Sequence, residues 1–521
     1  MDSVFQFTNN PLSITDVKNF VFRRAGFTSE TATVAIAPET KTRVAQSEKN
    51  FHALLEKKIP IYGVTTGFGD SSFRFIDAAQ SAALQNNLVA YLNCGTGAIL
   101  SEAATRATLL IRLNSLSRGY SGVSNELLER MRLYLEKNWI PVTPSEGSLG
   151  ASGDLIPLAY LAAVIQGKGQ LHSKNGFVET AQVLKENGIA PYTLKPKEGL
   201  ALVNGTSTMA GLALINLNHA EVLTRLSILS TAWLCLAIRG RPDSFGVLVN
   251  EKAKAHRGQT EAAKLVRAEL KKENYAVEPI TEGPVQDRYS LRCAPQIIGP
   301  VLETLEQASD WLETEINSVS DNPLIDDDGT LQTGGNFYGG YLGHSMDYLK
   351  VSMAHLADML DRQLMLLVDD KQNRGLPPNL ADWQNLPENE RFLHHGLKGL
   401  HQSVSAITSE IMAKSIPNGI FSRSSESHNQ DKVSLGMSAA VQCETLIEQL
   451  FHVQALYLIC LAQAIDLRKI QFQSEASKKI YALVRKHVPF VGRDQALTRE
   501  IFNLIEDLKA LSFKEGAEGV L

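Results

Sequence analysis

The chain has 521 residues, of which 44% are hydrophobic and 21% are charged, and its 51 basic and 56 acidic side chains leave a formal net charge of -5. This balance is typical of a soluble globular protein and excludes a strongly basic nucleic-acid-binding protein. The five cysteines are odd in number, scattered and without a Cys-x-x-Cys pair, which argues against a disulfide framework and against a zinc site.

A secretory signal has a basic segment followed by an apolar one, and the N-terminal stretch does not show this pattern. The longest apolar runs, such as residues 226–238, are shorter than the roughly 18 residues of a membrane span. We therefore predict a cytoplasmic protein with no membrane partner.

Apolar residues recur at three- and four-residue spacing in several long segments, which predicts helices. These segments include residues 101–119, 123–138, 208–240 and 443–469. Several are apolar on nearly every face, as expected of helices wrapped by other helices or subunits. Sustained alternation of apolar and polar residues, which is typical of strands, is scarce, although Asn175-Gly176 predicts one hairpin turn. The predicted fold class is therefore mainly α.

The stretch GSLGASGDL, residues 147–155, places three glycines before a long apolar run. An ordinary turn is one interpretation, with Ser152 or Asp154 capping the helix that follows. A second interpretation is chemical. If the fold presses Ala151-Ser152-Gly153 into a bend, the Gly153 nitrogen can attack the Ala151 carbonyl carbon with loss of water. Loss of the Ser152 hydroxyl as a second water then leaves an electrophilic methylidene.

The longer string GSLGASGDLIPLAY resembles the signature of the aromatic amino acid and histidine ammonia-lyases, which carry this 4-methylidene-imidazole-5-one (MIO) group and are close relatives of the 2,3-aminomutases. Further matches follow in order along the chain: IYGVTTGFGD, LQNNLV, ALVNGTS, QDRYSLRCAPQ, SVSDNPLID, GGNFYG and SHNQDKVSLG. Each match alone is weak, whereas their order from about residue 61 to residue 436 is specific.

The resemblance implies a long-helix bundle of the ammonia-lyase type, similar to fumarase and aspartase, with a smaller mixed N-terminal region carrying the MIO loop. We expect the N-terminal region at residues 1–200 and the helix bundle with its C-terminal helices at residues 201–521. The resemblance also implies a homotetramer whose active sites are shared between subunits.

By resemblance, Tyr62 in YGVTTGFG is the general base that removes the β-proton, which requires a phenol pKa lowered by its surroundings. Gly69 would keep this mobile loop close to the MIO. Arg292 would hold the substrate carboxylate with paired hydrogen bonds. Tyr289 falls on the same face as Arg292 if the segment is helical, and would assist proton transfer. Without the family match, Tyr62 would be an aromatic anchor and Arg292 a surface charge.

Asn204 is placed by resemblance beside the MIO carbonyl oxygen, where a donor stabilises developing charge. Asn322 is either a turn residue or a further partner of the substrate carboxylate. Glu426 matches a carboxylate near the substrate amine in phenylalanine lyases. Asn429 and Gln430 belong to the sequence His-Asn-Gln, which is typical of the aromatic branch rather than the histidine branch.

Substrate choice depends by resemblance on Tyr91-Leu92. Phenylalanine-preferring relatives usually carry Phe-Leu here, tyrosine-preferring relatives His-Leu and histidine lyases Ser-His, so Tyr91 departs from each pattern. Its ring could line an apolar pocket while its hydroxyl bonds a polar ring substituent, or it could be core packing. The sequence therefore does not decide which aromatic ring the substrate carries.

Three other clusters are discounted. IDDDG, residues 325–329, lacks the alternating ligands of a calcium loop, and adjacent His394-His395 suits no helical metal pair. GGNFYGGYLG lacks the Gly-Lys-Ser/Thr of a phosphate loop. We predict no metal and no nucleotide.

The sequence thus predicts an enzyme that eliminates ammonia from an aromatic L-amino acid, namely phenylalanine, tyrosine or a ring-substituted analogue, to give the trans-arylacrylate. An aromatic 2,3-aminomutase is the first alternative. A histidine ammonia-lyase and a helical scaffold with an inactive site follow. Attack on the MIO by the substrate amine and attack by its ring are not separated by the sequence.

Overall fold

The computed structural model describes residues 4–22, 33–276 and 285–514, and within them the chain is mainly helical, as predicted. The helices are Ile14–Phe22 (α1), Pro38–Glu56 (α2), Ser81–Leu92 (α3), Glu102–Ser117 (α4), Asn125–Lys137 (α5), Leu155–Ile165 (α6), Thr180–Glu186 (α7), Glu198–Val203 (α8), Ser207–Ala237 (α9), Arg257–Lys272 (α10), Tyr289–Arg292 (α11), Ala294–Ile316 (α12), Gly340–Val368 (α13), Lys398–Lys414 (α14), Gly436–Leu467 (α15), Glu475–His487 (α16) and Thr498–Lys514 (α17).

The strands are short and pair in twos. They are Phe5–Phe7 (β1), Val34–Ile36 (β2), Thr96–Ile99 (β3), Pro144–Glu146 (β4), Gln170–Ser173 (β5), Gly176–Glu179 (β6), Leu324–Ile325 (β7) and Leu331–Gln332 (β8). β1 pairs with β2 in parallel, and the other three pairs are antiparallel. The hairpin predicted at Asn175-Gly176 is confirmed, because Ser173 pairs with Gly176 across the turn.

The helix boundaries follow local capping chemistry. Ser101 accepts a hydrogen bond from the Ala104 amide at the start of α4, and Ser124 does the same for Leu127 at the start of α5. Asn138 ends α5 with a left-handed φ of 55°. α15 begins at Gly436, earlier than the apolar pattern predicts, because Gly436, Ser438 and Ala439 in its first turn carry little hydrophobic signal.

The chain divides into two compact units, each made of several segments. The first comprises residues 1–215, 308–347 and 417–441, and the second comprises residues 216–307, 348–416 and 442–521. The predicted division after residue 200 stays a prediction. In the second unit, Trp233 stacks on Phe472 with ring centroids 4.6 Å apart.

Two helices, α9 and α15, are long and apolar enough to cross a membrane by length and composition. However, 89% of the apolar window of α9 and 83% of that of α15 are buried inside the protein. These fractions are those of core helices, since a membrane-spanning helix would keep much of its apolar surface for lipid.

Candidate active site

A cavity of about 290 Å³ in the first unit brings together most of the predicted site residues. Its lining includes Tyr62, Gly69, Tyr91, Ala151, Ser152, Asn204, Asn322, Glu426, Asn429 and Gln430. Leu92, Gly153, Tyr289 and Arg292 are not part of this lining. Segments far apart in the sequence therefore meet at one place that is large enough for a small ligand.

The backbone bends sharply at Ala151-Ser152-Gly153. Gly150 and Gly153 both have left-handed φ values, of 75° and 71°, and they form a bridge across the bend. A Cβ at Gly153 would lie 2.1 Å from the carbonyl oxygen of Gly205, so no other residue fits there. Gly205 also accepts a hydrogen bond from the Asp154 amide at 2.7 Å and donates one to the Ser152 carbonyl at 3.2 Å.

Asp154 does not cap the helix that it precedes, contrary to the turn interpretation. Its carboxylate accepts hydrogen bonds from the amides of Thr208 and Met209, both at 2.8 Å, and so caps the first turn of α9. Burial raises the pKa of Asp154 to about 7, although these two amides favour the ionised form. The residue after the tripeptide thereby fixes the bend to a long core helix.

Tyr62 is held in the cavity wall by its neighbours in the chain. Ile61 and Val64 are buried in a hydrophobic cluster with Phe51 and Ile325. The Tyr62 hydroxyl accepts a hydrogen bond from the Gly69 amide at 2.8 Å, which closes the loop on itself.

The pKa of Tyr62 is raised, whereas its proposed role as a base predicts a lowered pKa. Burial of the phenol has the largest effect, the Gly69 amide opposes it, and the negative charge of Glu426 adds to it. The expectation is wrong for the isolated chain because loss of solvent outweighs one hydrogen-bond donor. A positive charge beside Glu426 would shift this balance towards the phenolate.

Glu426, Asn429 and Gln430 lie on one tight loop. The backbones of Ser425 and Gln430 pair with each other, which closes the loop at its base. Glu426, Ser427 and His428 all have left-handed φ values, of 51°, 52° and 66°. Consecutive left-handed residues other than glycine are uncommon and strained, and such strain concentrates at functional sites. Asn429 donates to the Glu426 carboxylate at 3.3 Å and orients it.

Asn204 and Asn322 contact each other in the cavity wall. The Asn204 side-chain amide donates to the Asn322 carbonyl at 3.1 Å, while the Asn204 amide oxygen is buried without a hydrogen-bond partner in the described part of the chain. The Asn322 side chain accepts from the Gly334 amide at 2.8 Å. Asn322 is therefore more than a turn residue, and Asn204 keeps an unused polar atom beside the cavity.

Tyr91 lines the cavity, but Leu92 does not. The two residues point to different sides of α3, since Tyr91 is 57% exposed and Leu92 is buried. Leu88, one turn before Tyr91 on the same side of the helix, also lines the cavity. Partial loss of solvent in the cavity raises the pKa of Tyr91 to about 12, with contributions from Glu426 and Tyr62. The Tyr91 hydroxyl is therefore a proton donor at neutral pH.

Tyr289 and Arg292 form the short helix α11 in the second unit. The predicted helical relationship between them is confirmed, because the Arg292 guanidinium lies 4.5 Å from the centre of the Tyr289 ring. The Arg292 Nε is buried without a hydrogen-bond partner among the described residues, and Tyr289 is 71% exposed. This pair thus presents a cation with unused hydrogen-bonding capacity.

Eight further residues line the cavity that the sequence did not predict as site residues: Phe68, Leu88, Leu155, Leu200, Phe337, Tyr338, Asp431 and Lys432. Leu88 could have been found from its spacing to Tyr91 on one helix. Asp431 and Lys432 directly follow Gln430 in the chain. Leu200 carries no signal of its own, because a buried leucine in a helix is ordinary core. Within the described ranges, no cluster of His, Cys, Asp or Glu side chains could hold a metal ion.

A family model described as aromatic amino acid lyase matches residues 12–486. A histidine ammonia-lyase from Bacillus cytotoxicus is 33% identical over 97% of this chain and 97% of its own length. A tyrosine ammonia-lyase from Cereibacter sphaeroides is 34% identical over 92% of this chain and 93% of its own. The crystal structure of tyrosine aminomutase from Streptomyces globisporus superposes with a TM-score of 0.89, at 32% identity and 98% coverage of both chains. These likenesses confirm the predicted fold class.

Proposed function

Because the chain belongs to the aromatic amino acid lyase family and is therefore a carbon–nitrogen lyase, we propose that it eliminates ammonia from an aromatic L-amino acid to give the trans-arylacrylate. The observation that carries this proposal is the meeting of the Ala151-Ser152 bend with Tyr62 and Glu426 in one cavity. Such an elimination requires an electrophile, which the bend is proposed to form, a proton acceptor, which is Tyr62, and an anion beside the substrate amine, which is Glu426.

We propose that MIO forms from Ala151, Ser152 and Gly153, and the bend fits this group. The Gly153 position excludes any side chain, and Gly205 fixes the backbone on both sides of Gly153. When formed, MIO supplies an electrophile that ordinary side chains lack. Asn204 is the proposed donor to the MIO carbonyl oxygen, because the side-chain NH₂ group gives one hydrogen to the Asn322 carbonyl and keeps a second.

Tyr62 is the proposed general base, and it takes the β-proton on its hydroxyl oxygen. The Gly69 amide already donates to this oxygen and stabilises the phenolate by a charge-assisted hydrogen bond. Glu426 is proposed to face the substrate ammonium. The ammonium charge then offsets the negative charge that raises the pKa of Tyr62, so substrate binding itself favours the basic form.

Arg292 and Asn322 are the proposed partners of the substrate carboxylate, and Tyr289 is proposed to assist proton transfer. The unpaired Nε of Arg292 supports a fork-shaped interaction with a carboxylate. The exposure of Tyr289 supports a homotetramer in which α11 of one subunit completes the site of another. The proposed location is the cytoplasm.

The substrate is proposed to be phenylalanine, tyrosine or a ring-substituted analogue. The sequence His-Asn-Gln at residues 428–430 and the hydroxyl of Tyr91 support this class over histidine. A 2,3-aminomutase that returns ammonia to the β-carbon is the second candidate, favoured by the likeness to the Streptomyces globisporus tyrosine aminomutase.

The test is to incubate the purified enzyme separately with L-phenylalanine, L-tyrosine and L-histidine and to resolve the products by chromatography. An arylacrylate with equal free ammonia is the expected result, whereas a β-amino acid as main product would establish the aminomutase and urocanate the histidine lyase. Ser152→Ala lacks the hydroxyl that leaves as the second water, so its intact mass should never show the loss of two waters, and it should lose turnover. Tyr62→Phe should still show the loss of two waters but have no turnover. This variant therefore distinguishes loss of the base from failure to form the prosthetic group.

A further inference from the structure

Two buried serine hydroxyls bind the two ends of the bend at residues 150–153. Ser148 Oγ donates to the carbonyl oxygen of Gly153 at 3.1 Å. Ser434 Oγ donates to the carbonyl oxygen of Gly150 at 3.3 Å, and the Ser434 amide points to the same oxygen at 3.4 Å. Both side chains are in residues that are less than a tenth exposed. Neither serine lines the cavity, so neither is placed to touch substrate.

The peptide groups around the tripeptide are held unequally. The carbonyls of Gly150, Ser152 and Gly153 each accept a hydrogen bond. Among the described residues, no hydrogen bond reaches the carbonyl of Ala151. The Ala151 carbonyl, which the Gly153 nitrogen attacks in ring closure, is thus free of hydrogen bonds among the described residues, while the carbonyls of Gly150 and Ser152 on either side of it are fixed.

Ser434 is itself held in place. Its hydroxyl oxygen accepts a hydrogen bond from the Gly436 amide at 3.3 Å, which directs the hydroxyl proton to Gly150. A Cβ on Gly150 would lie 2.5 Å from Ser434 Oγ, so the two residues are in tight contact. The segment just before α15 therefore supports the bend from one side, and Ser148 supports it from within its own loop.

We propose that Ser148 and Ser434 are positioning residues for the autocatalytic ring closure of Ala151-Ser152-Gly153, an inference that rests on the proposed function. In this reaction the Gly153 nitrogen forms a bond to the Ala151 carbonyl carbon and its proton passes to the Ala151 oxygen. That oxygen takes the Ser152 amide proton as well and leaves as the first water, and a C=N bond forms between the Ala151 carbon and the Ser152 nitrogen. The Ser152 hydroxyl leaves as the second water with the Cα proton, and no oxidant is needed.

Ring closure depends on how closely two backbone atoms are pressed together. A free loop relieves such pressure by rotating its peptide planes, and a pinned loop cannot. The two serine hydrogen bonds fix the planes on both sides of the tripeptide, so removing one hydroxyl increases the number of non-reactive backbone conformations. We expect dehydration to slow about five- to tenfold for each hydroxyl removed, the usual worth of one hydrogen bond.

The experiment follows water loss directly. Full-length wild type, Ser148→Ala, Ser434→Ala and the double variant are made by cell-free synthesis, sampled over time, denatured and weighed by intact-mass spectrometry. Ser117→Ala is the matched control, because the Ser117 hydroxyl is equally buried and binds the Asn114 carbonyl at 2.8 Å, away from the bend. Melting temperatures of the purified variants report folding separately.

The expected result is slower loss of two waters in both single variants, slower still in the double variant, and wild-type kinetics for Ser117→Ala. Wild-type kinetics in Ser148→Ala and Ser434→Ala would overturn this proposal while leaving the proposed function intact. A wild-type chain that never loses two waters would overturn both. If an alanine variant does not fold, Ser→Cys at that position replaces it, because a thiol fills similar space but donates weakly, and the same comparison decides.

Discussion

The carboxylate of Glu426 lies against Gly69, so closely that a Cβ on Gly69 would fall 1.8 Å from a carboxylate oxygen. The amide of the same glycine donates to the Tyr62 hydroxyl. One residue without a side chain thus separates the proposed base from the proposed partner of the substrate amine. Any side chain at this position must displace one of the two.

Gly69→Ala is therefore expected to damage catalysis more than folding. The added methyl group meets the Glu426 carboxylate and forces φ away from its left-handed value of 56°, which moves the amide from Tyr62. Displacement of a catalytic group by about 1 Å costs about 100-fold in rate, so we expect kcat/KM to fall by that order. The control is Gly188→Ala, with φ of 66° and no atom within 4 Å of an added Cβ. Equal losses in the two variants would mean that backbone strain alone is responsible.

Glu426→Gln is expected to shift the pH dependence of turnover. The negative charge of Glu426 is one of the causes that raise the pKa of Tyr62, so its removal lowers that pKa. Tyr62 acts as a base only when deprotonated, so the rising limb of kcat/KM against pH should move to lower pH. The height of the profile should fall as well, because the amine loses its proposed partner.

Asp431→Asn is the matched control for this profile. Asp431 also lines the cavity, yet it is not among the causes that shift the pKa of Tyr62. The rising limb of kcat/KM against pH for Asp431→Asn should therefore stay at its wild-type position. A limb that stays in place in Glu426→Gln, or that moves equally in both variants, would remove Glu426 from control of the base.

The helices of this fold are predictable because their signals are local. Residues 101–119 and 123–138 carry both an apolar period and a serine cap, and α4 and α5 begin within two residues of those caps. The early start of α15 at Gly436 could not be predicted, because its first turn carries little hydrophobic signal and Ser434, two residues before it, is bound to the Gly150 carbonyl across the fold. Tertiary contacts, which a local pattern does not contain, decide such boundaries.

The site was predictable where motif residues line the cavity directly. Tyr62, Ser152 and Glu426 are examples. The absence of Leu92 from the cavity lining and the raised pKa of Tyr62 were not predictable, because both depend on how a side chain is buried. Leu92 is buried beside Tyr91, while Leu88, three residues before Tyr91 on the same side of the helix, lines the cavity with it. Burial of a phenol is a property of the packed chain and has no sequence signature.

Tyr91→Phe is expected to change ring selectivity rather than overall activity. The Tyr91 hydroxyl has a pKa of about 12 and is therefore a donor at neutral pH, suited to a ring hydroxyl of the substrate. Its removal should lower kcat/KM for tyrosine about tenfold relative to phenylalanine, the cost of one unpaired polar group. Competition of the two substrates in one reaction measures the ratio. In the control, Tyr160→Phe, a hydroxyl bound to the Gly95 amide is lost and the ratio should not change. An unchanged ratio in Tyr91→Phe would assign selectivity to other lining residues.

Asp154→Asn is expected to remove one pH-dependent contribution to stability. The pKa of Asp154 is about 7 in the folded chain and near 3.8 when unfolded. Between about pH 4 and pH 7 the folded state therefore holds a proton that the unfolded state has lost, and the free energy of unfolding falls as pH rises through this window. Asparagine is neutral and still accepts from the amides of Thr208 and Met209, so the variant lacks this slope. Urea midpoints of both proteins from pH 4 to pH 8 measure the difference. The variant should gain stability relative to wild type as pH rises, with no further gain above about pH 7, and parallel curves would show that Asp154 is ionised in the folded chain throughout.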